Sequence, residues 1–555
     1  MAGIYRETID GAKTLGTRQE RMRSGGACSG TRGELPRSVA SAIRRQVAAV
    51  TGQSERSLLL GTVLLASAVS ASTGFVLSQY YSVDILSSLL YAPYDCMADW
   101  GMKVGRHCFS DYAIPVSFGM RANPWEPYPL YLPPDFKPLH NNYVAAGMLP
   151  LMVFGVIGNW LNTPMVGLLT YLVLLTVAVL SPAVWAARGA RGVERIVVFV
   201  ACGVAAIPAW MAVDRGNSVG FVVPVALVFL VALCRRRWGL VAVMVVLAAL
   251  VKPHFAVIGV VLFAARQWRV GGITVAAVVV SNVAAYALWP RDFPHTFAQS
   301  FQNIFAYGAS RMSVSDGNVS FAKALLAVPD GMKAGATGGL VPEGFLAGPR
   351  AVIGYVVLAL VVVSVLALGR RIPPVMAGIA LLATASLFPA VSNRYYLVFA
   401  LPVAALVARA PDGPPGSGIF DRPEIVGGRR RAVGVLTSLA GAFSIAQIAL
   451  PDHPSRVQIL GPSGELWAVV TLVVTTVLFA SMFWLSTCVA IIYSYARRPD
   501  PLALSEEESA GMIAAAESGN VVAPEAPKVL ATASRATRTR QPQSPPAEAE
   551  RSADR

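Results

Sequence analysis

The chain has 555 residues, 55% of them hydrophobic and only 14% charged, with a formal net charge of +15. A soluble protein carries about 25% charged residues, so a large soluble enzyme is excluded, and six cysteines are too few to staple a chain of this length. No recognition motif accompanies the basic balance, which sets nucleic acid aside as a partner.

Residues 1–56 are polar and basic with no cleavable signal, and read as a disordered cytoplasmic leader with an interfacial helix near 38–50. The first span is expected at 57–79. Residues 80–142 follow, rich in Asp, Trp, Tyr and Pro, and form a large outer loop that no bilayer could hold. The apolar stretch 142–161 is short and interrupted by Pro150. The basic "AARGARGVER" after the next stretch belongs on the cytoplasmic side. Parity therefore makes 142–161 a re-entrant or interfacial helix along the outer leaflet and 164–185 a span.

Spans at 196–213 and 218–234 enclose the outer turn "DRGNS" and end at the basic "CRRRW". Residues 239–269 have basic ends and two half-length apolar arms flanking Lys252-Pro253-His254, the pattern of a broken re-entrant hairpin tipped by that triplet. Further spans are expected at 271–289, 351–368, 373–390, 394–409, 433–450 and 467–495. Residues 290–350 form a second outer loop, "SNRYY" a short outer turn, and 410–432 a cytoplasmic linker. Residues 497–555 read as a disordered cytoplasmic tail. The expected fold is an all-α polytopic membrane protein, with one multi-span domain over 57–496, about ten spans plus the hairpin, and both termini cytoplasmic.

This topology gathers the polar clusters on the outer face. Asp95 and Asp99 stand four apart in "YDCMADWG" and would share one face of a helix. A carboxylate there suits removal of a proton from an acceptor hydroxyl, with Asp99 ahead of Asp95; alternatively both cap short helices or pair with Lys103 and Arg106. Asp84 and Asp111 are outsiders in the same loop. Arg215, Gly216 and Asn217 join two spans. Gly permits a tight turn and Arg can grip a phosphate, unless Asp214 and Arg215 simply pair within a plain hairpin. Lys252 interrupts apolar sequence, where an ionisable group is a functional hypothesis by default; a lipid phosphate is its natural partner, with His254 beside it, and snorkelling to the interface is the alternative. Arg394 opens a span at the outer face and holds either a phosphate or an ordinary headgroup.

Trp100, Trp125, Tyr128 and Tyr131 stack on sugar faces or fill the loop core. Cys96 and Cys108 share the outer loop and form either a disulfide or two free thiols, while Cys202, Cys234 and Cys488 fall in or beside spans. No zinc-type spacing of ligands appears, so no cofactor is expected, with metal left open. Asn318-Val319-Ser320 matches the glycosylation acceptor triplet.

With these residues laid out, the chain resembles the GT-C superfamily of multi-span membrane glycosyltransferases, and within it glycosyltransferase family eighty-seven of bacteria. The resemblance covers about residues 57–410 and rests on the acidic first outer loop, the "RGN" turn opening a span, "LAALVKPHF" before a basic turn, and a polar outer turn before a late span. It implies a GT-C-like bundle in the bacterial plasma membrane with an outward-facing site. A mannose or arabinofuranose unit would move from a polyprenyl-phosphate-linked donor to an extracytoplasmic glycan or glycolipid acceptor. In that resemblance Asp99 or Asp95 matches the catalytic aspartate, and Arg215, Asn217, Lys252 and Arg394 match lipid-phosphate or cavity positions. The sequence departs from the family in two places: "YAPYDCMADWGMKVGRHCFSDYA" replaces a simpler "D…Y…A" run, and "SNRYY" stands where a His is often found. The competing expectation is a lipid-linked glycan flippase or small-molecule transporter.

Overall fold

The structure, a computed structural model, describes residues 52–82, 89–90, 102, 104, 107–132, 137–315, 317–336, 347–428, 430–461 and 464–497. The leader up to residue 51, the tail from 498, and Asp95, Asp99 and Cys96 lie outside the described residues.

Helices dominate. Among the described residues, five are long and apolar enough to cross a membrane: Glu55–Tyr81, Pro164–Ala187, Trp268–Leu288, Arg350–Arg371 and Val477–Ala496. A sixth candidate is the bent pair Gly192–Val204 and Ile207–Arg215. Its 46° bend follows a π-turn at Val200–Val204 and the Pro208 that opens the second helix, both recognised causes of kinks. Seven further apolar helices are shorter, including Trp238–Val251, Pro374–Leu387 and Arg394–Ala408. This is the architecture of an all-α membrane protein.

Two helices form the centre. Every residue from Val375 to Leu387 is buried, and so is every residue of Ala400–Ala408. A helix that is apolar all round belongs inside a bundle. Small residues let the neighbours approach closely, and the few hydroxyls turn inward on their own helix: Thr384 and Ser386 bond the carbonyls of Ala380 and Leu382 at 2.8 and 2.9 Å. The helix 347–368 comes closest where Gly354 leaves no room for a side chain, since a Cβ there would lie 2.0 Å from the Phe388 carbonyl oxygen.

Several expectations need correction. Pro150 does not break its segment: Ala145–Trp160 is one helix. Sixteen residues at 1.5 Å each reach about 24 Å, and the helix packs along Pro164–Ala187, where a Cβ on Gly167 would meet the Phe154 carbonyl oxygen at 2.4 Å. The segment 290–350, expected as a loop, carries helices among its described residues: His295–Gly308, Phe321–Leu325 and Ala327–Ala336. The expected span 467–495 starts late: Ala449–Gly461 and Gly464–Thr475 pair as an antiparallel hairpin, and the helix runs only over Val477–Ala496. The sequence "AVVTLVVTT" explains this, because β-branched residues favour a pleated strand over a helix. A second small antiparallel pair, Tyr128–Leu132 with Lys137–Leu139, sits in the first loop.

Asn318, the first residue of the acceptor-type triplet, is enclosed and fully engaged in hydrogen bonds. It is 2% exposed. Its amide donates to the Ser313 and Ala390 carbonyls at 2.7 and 2.8 Å. Its oxygen accepts from the backbone of Ser320 and Ser392, both at 3.0 Å. The residue pins the second loop to the turn before Arg394.

Candidate functional site

The site is built on the turn that follows Ile207–Arg215. Gly216 caps that helix with φ 65°, the left-handed region. A Cβ there would lie 2.8 Å from the Cβ of Tyr112, so glycine is required by both backbone and space. Tyr171 donates its hydroxyl to the Gly216 carbonyl at 2.9 Å. Asn217 then caps the next turn by accepting from the Val219 N–H at 2.9 Å.

What the turn grips is Asp111, in the first turn of the helix Ser110–Gly119. Arg215 donates Nη2 to Oδ1 at 3.0 Å and Nε to Oδ2 at 3.3 Å. The Asn217 amide donates to Oδ2 at 2.9 Å. Asp214 meets the imidazole of His107 instead of pairing with Arg215. The plain hairpin with an internal ion pair is therefore not formed; both charges of "DRGN" reach across to the first loop, at His107 and Asp111. Burial alone would raise the Asp111 carboxyl, but the Arg215 charge and the Arg215 and Asn217 hydrogen bonds outweigh it, with a smaller contribution from Lys252, and hold the group below the usual carboxylate range.

The second contributor is the break after Trp238–Val251. Lys252 is extended, with φ −146° and ψ 111°, and the chain continues as a 3-10 helix, Pro253–Gly259. The chain folds back on itself here: a Cβ on Gly259 would stand 3.1 Å from Val245, seven residues to either side of Lys252. Lys252 is 9% exposed, and its Nζ sits 3.9 Å from the centre of the Tyr143 ring. Among the described residues no carboxylate lies within ion-pair distance of it. His254 packs beside Tyr396 and Phe388, and its shielded Nε2 has no hydrogen-bond partner among the described residues.

These groups face one cavity of about 450 Å³. Asp111, Asn217, Lys252 and His254 line it, with Tyr143 and Tyr396 between them. Arg215 stands behind Asp111, and Arg394 is not in the wall, although its neighbours Asn393, Tyr395 and Tyr396 are. The far wall is aromatic and comes from His295–Gly308. That helix has reversed polarity: Thr296, Ser300 and Asn303 are buried, while Phe297, Phe301 and Phe305 are exposed by 39%, 41% and 64%. Asn303 donates to the carbonyls of Trp125 and Asn141, both at 3.1 Å. Phe301, Phe305 and the exposed Tyr355 also line the cavity, so its apolar side lies at the surface of the bundle.

Of the residues singled out in the sequence, the structure brings together Asn217, Lys252 and His254, and places Arg215 one shell behind them. Asp111 was passed over. Its signal was the tetrapeptide "SDYA", where Ser and Asp open a helix whose Tyr112, Ala113 and Val116 are buried at helical spacing; a first-turn aspartate is favoured by the helix dipole. Trp125 is core, donating to the Tyr143 carbonyl at 2.8 Å. Cys108 is disulfide-bonded, whereas Cys202, Cys234 and Cys488 are free. Among the described residues no three His, Cys, Asp or Glu side chains cluster as a metal cage. Compared with protein-family models, with curated proteins and with solved structures, the chain matches none of them.

Proposed function

We propose that the chain is a membrane glycosyltransferase of the GT-C type, moving a sugar from a polyprenyl-phosphate carrier to an extracytoplasmic glycan or glycolipid acceptor. The observation that carries this reading is one cavity holding an aspartate gripped by Arg215 and Asn217, a buried lysine with no carboxylate in ion-pair distance among the described residues, and an aromatic side open to the bundle surface. A greasy tail suits the Phe301, Phe305 and Tyr355 side. Its phosphate suits Lys252, with the free Nε2 of His254 as a further hydrogen-bonding group. The Lys252 break then serves as the tip of a re-entrant hairpin within a bundle of about ten spans.

In this reading Asp111 takes the role first expected of Asp99 or Asp95. A carboxylate offers about four acceptor sites; Arg215 and Asn217 occupy three, which fixes its orientation and leaves one for a substrate hydroxyl. The acceptor oxygen would form a bond to the anomeric carbon while the bond from that carbon to the phosphate oxygen breaks. The phosphate leaves with the electron pair, and the hydroxyl proton passes to Asp111. Because Arg215 makes this carboxylate a weak base, proton transfer comes late, once the attacking oxygen has become acidic.

The test is to incubate membranes containing the full chain with labelled polyprenyl-phosphate sugars and follow product. Asp111→Asn is expected to lower transfer by about 100-fold or more while donor still binds, and Lys252→Met to weaken donor binding. Unchanged product formation by Asp111→Asn would remove the assignment. The alternative, a flippase or transporter for a lipid-linked glycan, draws on the broken helices at Lys252 and at Val200–Val204; movement of labelled lipid with no product formed would favour it.

A further inference from the structure

The helix Trp238–Val251 has a second charged end. Lys252 closes it at the cavity, and Arg237 caps its start. Its 14 residues separate the two by about 21 Å, so whatever gathers at Arg237 is remote from the cavity. There the chain forms a recess of about 540 Å³ lined by Arg235, Arg237, Arg422, Asp412 and Cys234.

The recess is held open by its own pairing. Arg235 forks onto Asp412, Nη2 to Oδ1 at 2.6 Å and Nε to Oδ2 at 2.8 Å. Arg422 donates to the Asp412 carbonyl at 3.3 Å and also contacts Glu424. Both turns are left-handed at one residue, with φ 53° at Arg236 and 59° at Asp412, which turns the two segments toward each other. Among the described residues, Asp412 is the only carboxylate in the wall against three guanidinium groups, and no carboxylate lies within ion-pair distance of Arg237.

We propose that this recess is a second ligand site, holding the phosphate of an anionic lipid headgroup at the membrane surface opposite the cavity. A guanidinium fork matches a phosphate oxyanion, and basic pockets between membrane helices are suited to anionic headgroups. The volume exceeds what a bare phosphate needs and leaves room for a glycerol-type headgroup. The inference requires only that the chain sits in a membrane, and it does not depend on sugar transfer.

The full chain, purified in detergent and stripped of lipid, is offered phosphatidylglycerol or phosphatidylcholine, and retained lipid is read by native mass spectrometry. Phosphatidylglycerol is expected to be retained about 10-fold over phosphatidylcholine, and Arg237→Ala and Arg422→Ala each to remove most of that preference, about 1.4 kcal/mol for a tenfold change. Arg237→Lys, which keeps the charge but loses the fork, should fall between. Arg269→Ala, outside the recess, should behave as wild type. Equal retention by the Arg237→Ala, Arg422→Ala and Arg269→Ala proteins would overturn the site. A separate arm titrates inorganic phosphate: thermal stabilisation equal to that from phosphatidylglycerol would make free phosphate the ligand and overturn the lipid assignment, whereas stabilisation by the lipid alone supports it.

Discussion

The two ends of the bundle handle charge in opposite ways. At the cavity, the central charges are enclosed: Asp111 and Arg215 keep 16% and 17% of their side-chain surface, and Lys252 is nearly buried. At the arginine end, the recess pair is more open: Arg235 and Asp412 retain 38% and 66%. Arg409 lies over Trp185 and donates to its carbonyl at 2.6 Å, and Arg56 reaches the Ala408 carbonyl at 2.8 Å. Water and headgroups can screen the second arrangement. The first is largely shielded from both, so the Asp111 charge is compensated within the chain by Arg215 and Asn217. The same residue types are therefore enclosed at the cavity and exposed at the recess.

That contrast makes graded predictions. Asp111→Ala strands Arg215 in a largely enclosed site and should cost about 2–3 kcal/mol, read as a lower denaturation midpoint in detergent at neutral pH. Because the Asp111 carboxyl titrates lower in the folded chain than in the unfolded one, its contribution is fully present above the ordinary aspartate value of about 3.9 and is lost as pH falls through the folded value. The gap between wild type and Asp111→Ala should therefore close on acidification; a gap that does not change with pH would break the ion-pair account. Gly216→Ala should cost about 1–2 kcal/mol from its left-handed backbone alone, with further loss from the approach of Tyr112, and should weaken the hold of the turn on the helix Ser110–Gly119. Protection of the Tyr112 amide in hydrogen exchange would drop with it; a variant as stable and protected as wild type would mean the turn relaxes freely. At the other end, Asp412→Ala should leave the melting temperature unchanged, as expected for an exposed pair. A clear loss there would erase the difference between the ends.

Much of the cavity was legible in the sequence for one reason: polar residues inside apolar sequence are expensive, so they stand out. Lys252-Pro253-His254 and Arg215-Gly216-Asn217 were visible this way, and both reach the cavity or its support. Asp111 was not, because its helix-opening place in "SDYA" is a weak local cue that says nothing of what the carboxylate meets. Its selection follows from the 104-residue separation it spans to reach Arg215. The Phe301 and Phe305 wall was also hidden. Helical spacing shows that one face of His295–Gly308 is aromatic, but not that the polar face is the buried one.

The sequence by itself determined that the chain is helical, apolar and suited to a membrane, and where basic turns punctuate it. Those are local properties of composition and spacing. Only the tertiary structure decided which apolar helices face protein and which face lipid. Arg350–Arg371 has a mean hydropathy of 2.9 and is 22% buried, while all of Val375 to Leu387 is enclosed. Hydrocarbon and a protein interior reward the same side chains, so hydropathy cannot tell them apart. The pairing of Asp111 with Arg215 and Asn217 was decided in the same way, by the meeting of two distant turns.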